Sequence, residues 1–158
     1  MKLSRLLFRP ALMLIMLGVL AGCASPDQGW MGSPLKDTAW QLVTIESKTG
    51  DAGREYVANK ANIVMNLKAS GDAEFTLGCE TGASNWEAGW ERIDLKGDIR
   101  FDELQINATP SPCEPNLVVQ RFLRDVEFLE GYVLIQNHLY LNTAAYQSTY
   151  GWRKIQAQ

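Results

Sequence analysis

Side chains able to move a proton near neutral pH are scarce in this chain. His138 is its only histidine, and imidazole is the one side chain whose ordinary titration falls in that range. It follows Gln136-Asn137 between two apolar runs, the setting of a solvated turn residue rather than of a general base in a cleft. Carboxylates are numerous, but Asp94, Asp98, Asp102 and Glu103 alternate with apolar residues, as on the wet face of a sheet. Gly71, Gly78, Gly82, Gly89 and Gly97 are scattered turn positions without the strand, loop and helix of a phosphate-binding motif. The Asn107-Ala108-Thr109 triplet is common by chance. No catalytic residue, metal or cofactor is expected.

Binding is better supplied. Trp86 and Trp90 lie four apart in Glu80 to Glu91, a stretch of small and acidic residues read as a loop. Two indoles so placed can form a platform for a sugar, a peptide or an apolar surface. The blander and favoured reading has both fold back over an open barrel end beside Cys79.

Three residues, Lys2, Arg5 and Arg9, form a basic start, and Ala11 to Leu20 form an apolar core of ten residues, too short to cross a bilayer of roughly 30 Å as a helix. Leu20-Ala21-Gly22-Cys23 then resembles the lipobox of bacterial lipoproteins. That resemblance implies a signal peptide over 1–22, lipidation of Cys23 by acyl chains such as palmitate, and a mature chain beginning at Cys23. Each buried methylene supplies about 0.8 kcal/mol of membrane affinity, and two or more chains make the anchor durable. Ala24-Ser25, with no aspartate after the cysteine, implies by similarity to enterobacterial lipoproteins the outer membrane, at its periplasmic face or the cell surface. An ordinary secretory signal or an uncleaved anchor is the competing reading. Under the lipoprotein reading, Cys79 and Cys113 are left as a pair in an oxidising compartment, where a disulfide is the usual outcome. Closing a loop of about 35 residues would contribute roughly 3 to 4 kcal/mol. A metal pair or a reactive thiol competes with it, but two isolated cysteines and one histidine do not make the four-ligand set that zinc prefers.

Removing residues 1–22 from 158 leaves 136, enough for one domain with a sizeable core. Three basic residues and no acidic ones leave, so the formal charge moves from −3 to −6. A nucleic-acid partner is not expected, because its affinity comes from clustered cations. Residues 23–34 read as a lipidated tether and 35–158 as the domain.

Within the domain, Thr38 to Glu46 has the composition of a half-buried strand. Residues 62–68 and 73–77 alternate apolar and polar side chains across Ser70-Gly71-Asp72, which predicts a β-hairpin. A second hairpin is expected from Ile93 and Leu95 across Gly97-Asp98 to Ile99 and Phe101, its far strand continuing to Leu104 and Ile106 after an irregularity at Asp102-Glu103. A third pairs Tyr132 to Ile135 with Leu139 to Leu141, and Tyr150, Trp152 and Ile155 mark a last strand. Val119, Phe122, Leu123 and Val126 have helical spacing, with a start either at a Ser111–Glu114 capping box or near Pro115. The fold class is therefore α+β: a mostly antiparallel, curled sheet or barrel of about seven strands closed by one helix.

Leu35-Lys36-Asp37-Thr38-Ala39-Trp40 resembles the opening L-x-G-T-x-W of the META domain, the family of heat-inducible HslJ-like lipoproteins. Gly78-Cys79 resembles its central G-C-N, and Thr109-Pro110-Ser111-Pro112-Cys113 its T-x-x-x-C. The resemblance covers roughly 35–155, with Glu80 in place of Asn, Asp37 in place of Gly, and Ser111-Pro112 in place of Met-Ala. It implies a non-enzymatic envelope protein linked to envelope stress and drug tolerance. The expected partners are a membrane, through the lipid, and a periplasmic protein, peptide or glycan. The alternative is an inhibitor of a secreted hydrolase such as a lysozyme or a protease, for which a small, acidic, disulfide-pinned domain is suited.

Overall fold

Alternation of buried and exposed side chains organises the domain. The computed structural model describes residues 33–48, 53–58, 60–89, 95–107, 114, 116–144 and 147–156. Ten strands and one α-helix lie among them: β1 Thr38–Ser47, β2 Arg54–Tyr56, β3 Ile63–Leu67, β4 Asp72–Leu77, β5 Glu80–Ala88, β6 Lys96–Phe101, β7 Gln105–Asn107, α1 Leu117–Asp125, β8 Leu129–Ile135, β9 His138–Thr143 and β10 Ser148–Ile155. Eight of them close antiparallel in the order β1-β3-β4-β5-β6-β8-β9-β10, with β10 returning to β1. Closure removes the free edges of the sheet. Strands β2 and β7 lie outside the ring, paired with β1 and β5.

The β1–β10 seam pairs Ala39 with Ile155 and Ser47 with Ser148, and its register shifts between Leu42 and Thr44. Such an extra residue bends a strand, as barrel closure requires. Inward-facing Trp40, Leu42, Ile63, Met65, Phe75, Tyr132, Leu141, Tyr150 and Trp152 are almost wholly buried. An eight-stranded barrel is just wide enough for such side chains to fill, and here bulky aromatic residues fill it.

Register distinguishes two ends. At the entry end, where the described chain begins, lie Thr38, paired with Leu67, and Arg153, paired with His138. At the helix end lie Ser47 and Ser148, and Ile63 with Leu77. Helix α1 covers the latter. Asn116 caps it, its side chain accepting from the amides of Val118 (2.9 Å) and Val119 (3.3 Å), so the start lies one residue after Pro115 and not at Ser111. Phe122 reaches inward, its ring centroid 5.9 Å from Phe75, 5.7 Å from Tyr150 and 5.5 Å from Trp152.

The structure corrects several expectations. The strand count rises from about seven: β2 and β5 escaped the sequence pattern, and the expected continuation through Leu104 and Ile106 is a separate strand, β7, paired with β5, while Ile93 of the expected near strand lies outside the described residues. Gly97-Asp98 is not a turn but the interior of β6. A Cβ at Gly97 would stand 2.3 Å from the Gly89 carbonyl oxygen, so this glycine permits a close strand approach, held by Gly89 N–H to Asp98 O at 2.9 Å. Residues 80–88 form β5 rather than a loop, paired with β4 from Glu80 to Asn85 and, on its other side, with β7 and then β6. His138 opens β9, and the turn is Gln136-Asn137. Ser33, placed in the tether by composition, is buried, so the packed chain begins no later than that residue.

Candidate functional site

Strand β4 ends at Leu77, and the tight turn to β5 requires Gly78 at φ +74°, a conformation costly to other residues. The Gly78 amide donates to Asn62 O at 2.8 Å, fixing the turn against the start of β3. Opposite it, Asn116 not only caps α1 but donates from Nδ2 to Lys60 O at 2.8 Å, pinning the helix N-terminus to the same corner. Between turn and helix lies a groove of about 490 Å³. Leu77, Val119 and Leu123 give it an apolar floor, while Glu80, Glu114 and Gln120 are polar groups of its lining. A groove with an apolar floor and a few polar groups suits an apolar or amphipathic partner, with the carboxylates favouring one that carries positive charge.

Cys79 is exposed and disulfide-bonded, so the turn beside the groove is covalently fixed. Cys113 and Cys23 lie outside the described residues, as does Trp90. Trp86, the other member of the expected platform, is only 3% exposed and donates from its indole to Lys68 O at 3.1 Å. It is a core residue that helps close the entry end, away from Cys79 rather than beside it. Its packed faces are not available as a platform. His138 stacks on Tyr140, with centroids 6.4 Å apart, at the end of the barrel opposite the groove.

Among the described residues one carboxylate is fully buried. Asp125, the last residue of α1, accepts from Tyr150 Oη at 2.6 Å and from Arg124 Nε at 2.8 Å. Burial, and then the hydrogen bond to Asp125, push the Tyr150 phenol far above its ordinary value. This network ties the helix to β10. Burial also raises the Tyr132 phenol, with Ser33 opposing the shift, although the hydroxyl has no partner in full hydrogen-bond geometry. The Trp152 indole N–H is similarly unpaired inside the barrel. Among the described residues no cluster of histidine, cysteine, aspartate and glutamate is arranged to hold a metal, and no helix is long and apolar enough to cross a membrane.

A second groove, of about 510 Å³, runs over the outside of β4, β5 and β7. Asp72, Glu74, Asp102 and Glu103 line it with Lys68. Asn85 Nδ2 donates to Asp102 Oδ2 at 3.2 Å where β5 changes partner. Sequence reasoning missed both grooves. Val119 and Leu123 were visible as a helical stripe, but Asn116 was not singled out as the cap, and the meeting of that stripe with the Gly78-Cys79 turn is tertiary.

No family model matches this chain, and no curated protein matches it. Two solved structures are similar in fold. One is the NMR structure of a protein from Burkholderia xenovorans, at a TM-score of 0.57 and 14% identity over 78% of this chain and 85% of that one. The other is the crystal structure of a DUF4847 family protein from Bacteroides vulgatus, at a TM-score of 0.55 and 11% identity over 79% of this chain and 97% of that one. At such identities the likeness is one of fold.

Proposed function

We propose that this chain is a non-enzymatic lipoprotein of the bacterial envelope, held at the outer membrane through Cys23. Its META-like barrel binds an amphipathic periplasmic protein, peptide or glycan in the groove beside α1, in a role protective under envelope stress. One observation carries the binding part: the lumen is occupied by Trp40, Tyr132, Tyr150, Trp152 and Phe122, so binding falls to the outer surface, where the groove beside the disulfide has an apolar floor. Two backbone features support the META resemblance. Asp37 adopts φ +53° at the position where that motif has glycine, and Gly78 adopts φ +74° in the Gly-Cys turn. The Cys79 disulfide is proposed to join Cys113.

Deletion of the gene tests this reading. Sensitivity to heat, detergent and hydrophobic drugs should rise and be restored by the native chain, but not by Gln120→Trp, which fills the groove from an exposed position. Unchanged tolerance in the deletion strain would sink it. The outer groove favours a second reading, inhibition of a basic secreted hydrolase, because its four carboxylates face one lysine that is already ion-paired with Glu74. Undiminished lysozyme and protease activity at micromolar chain would remove that reading.

A further inference from the structure

The charge of this chain is unevenly laid out: no aspartate or glutamate occurs after Glu130. Nearly all of β8, and all of β9 and β10, therefore form a wall of the barrel without a carboxylate side chain. At the entry end of that wall, Ile135 pairs with His138, His138 with Arg153, and Arg153 with Gln41. Directly paired residues share a face of the sheet, so Ile135, His138 and Arg153 form one rung on the outside. Ile135 is 54% exposed. Leu134 N–H donates to Leu95 O at 2.8 Å, which brings Leu95, 41% exposed, beside the same strand, followed by the exposed Lys96. Lys154 stands over the Trp40 ring at 5.9 Å, and its amide donates to Asn137 O at 2.9 Å. Two exposed apolar side chains are thus flanked by Lys96, Arg153 and Lys154 on one end of the barrel.

The chain also leaves the barrel at this end. Ser33 is buried and its carbonyl receives the Lys36 amide at 3.3 Å, and nine residues lie between it and Cys23, which makes ten Cα-to-Cα steps. Ten Cα-to-Cα steps span at most about 35 Å when fully extended. Strand β10 alone is about 26 Å long. A lipid on Cys23 therefore keeps the entry end near the bilayer, while the helix end reaches it only if the tether is stretched along the barrel.

We infer that the entry end docks on the anionic phospholipid surface of the membrane that holds the lipid, with Ile135 and Leu95 entering the interface and Lys96, Arg153 and Lys154 facing headgroup phosphates. This inference rests on the reading of Cys23 as the lipidated residue. Exposed apolar tips with basic flanks are the usual makings of such contact. The groove beside α1 then points away from the bilayer, toward a periplasmic partner.

The test uses the full chain, purified from membranes and reconstituted in vesicles of phosphatidylethanolamine and phosphatidylglycerol, with the photocrosslinker p-benzoylphenylalanine at position Ile135 or, at the helix end, at position Leu117, which is 81% exposed. Intact mass is measured first. Lipid adducts should form at 135 and not at 117. The pair Arg153→Glu and Lys154→Glu, both at exposed positions, should lower the yield at 135 at least fivefold, the effect of about one surface cation. A lipidated chain with equal adducts at both positions, or with a yield indifferent to the two substitutions, overturns the docking surface alone. A chain with no lipid on Cys23 overturns the anchoring reading and this inference with it.

Discussion

At the helix end of the barrel, a capped helix drives Phe122 among Phe75, Tyr150 and Trp152 and ties itself to β10 through Asp125. At the entry end a short turn does the closing: Leu35 is fully buried, its carbonyl accepts from Thr38 Oγ1, and that oxygen accepts from Trp40 Nε1 at 2.7 Å. Asp37, held at φ +53°, accepts the Ala69 amide at 2.9 Å. The first closure is a paired polar network over an aromatic core. The second joins the apolar burial of Leu35 to turn hydrogen bonds and to the longer-range Asp37–Ala69 and Trp86–Lys68 contacts, and it leaves the Tyr132 hydroxyl unpaired. A buried carboxylate network therefore holds the end that carries the binding groove, and backbone-centred hydrogen bonds around a buried turn hold the end where the described residues begin.

Truncation should show the difference most strongly. Phe122→Ala is expected to cost about 4 kcal/mol in denaturant unfolding and Leu35→Ala about 3 kcal/mol; a loss under 1 kcal/mol at either would mean that the end is not closed by that residue. Reducing the Cys79 disulfide should cost roughly 3 kcal/mol if its partner is Cys113, measured as the shift in unfolding midpoint with and without reductant. The two buried tyrosines sharpen the contrast further. Tyr150→Phe strips Asp125 of a donor and should cost about 2 kcal/mol, whereas Tyr132→Phe removes an unpaired hydroxyl and should change stability by less than about 0.5 kcal/mol, or raise it.

Alkali gives a smaller, graded test. Both phenols titrate above the ordinary tyrosine value in the folded state. Above about pH 10 the unfolded chain releases these protons and the native state keeps them, so stability should be full below that pH and fall as pH rises through it, by up to about 1.4 kcal/mol per pH unit for each tyrosine. The fall should be shallower in Tyr150→Phe. A slope unaltered by that substitution would show that burial and Asp125 do not hold the Tyr150 phenol protonated in the folded state.

The hairpin Ile63 to Leu77 was legible because both strands alternate strictly about Gly71 and the turn residues lie between them. The third hairpin was legible as two apolar runs separated by Gln136-Asn137, although His138 belongs to β9 and not to the turn. Gly97 misled because a glycine that admits a neighbouring backbone looks, in sequence, like one that makes a turn. Strand β5 was hidden because its buried positions include Gly82, where a Cβ would press on Leu104 at 3.1 Å, and only Trp86 among them is large. Strand β2 has three residues, too few to display a period, and β7 was read as the continuation of β6 because Ile106 extends its apolar pattern, whereas it pairs separately with β5. For the candidate site, the helix face and Cys79 were legible separately. Their apposition was not, because it depends on Asn116 reaching Lys60 O across 56 positions of sequence.

The most direct measurement is the intact mass of the native chain extracted from membranes without reductant and treated with an alkylating agent. The expected species begins at Cys23, carries diacylglycerol and a further acyl chain, and takes up no alkyl group at Cys79 or Cys113. A chain that begins at Met1 or has a lipid-free terminus would contradict the anchor, and two alkylated cysteines would contradict the disulfide.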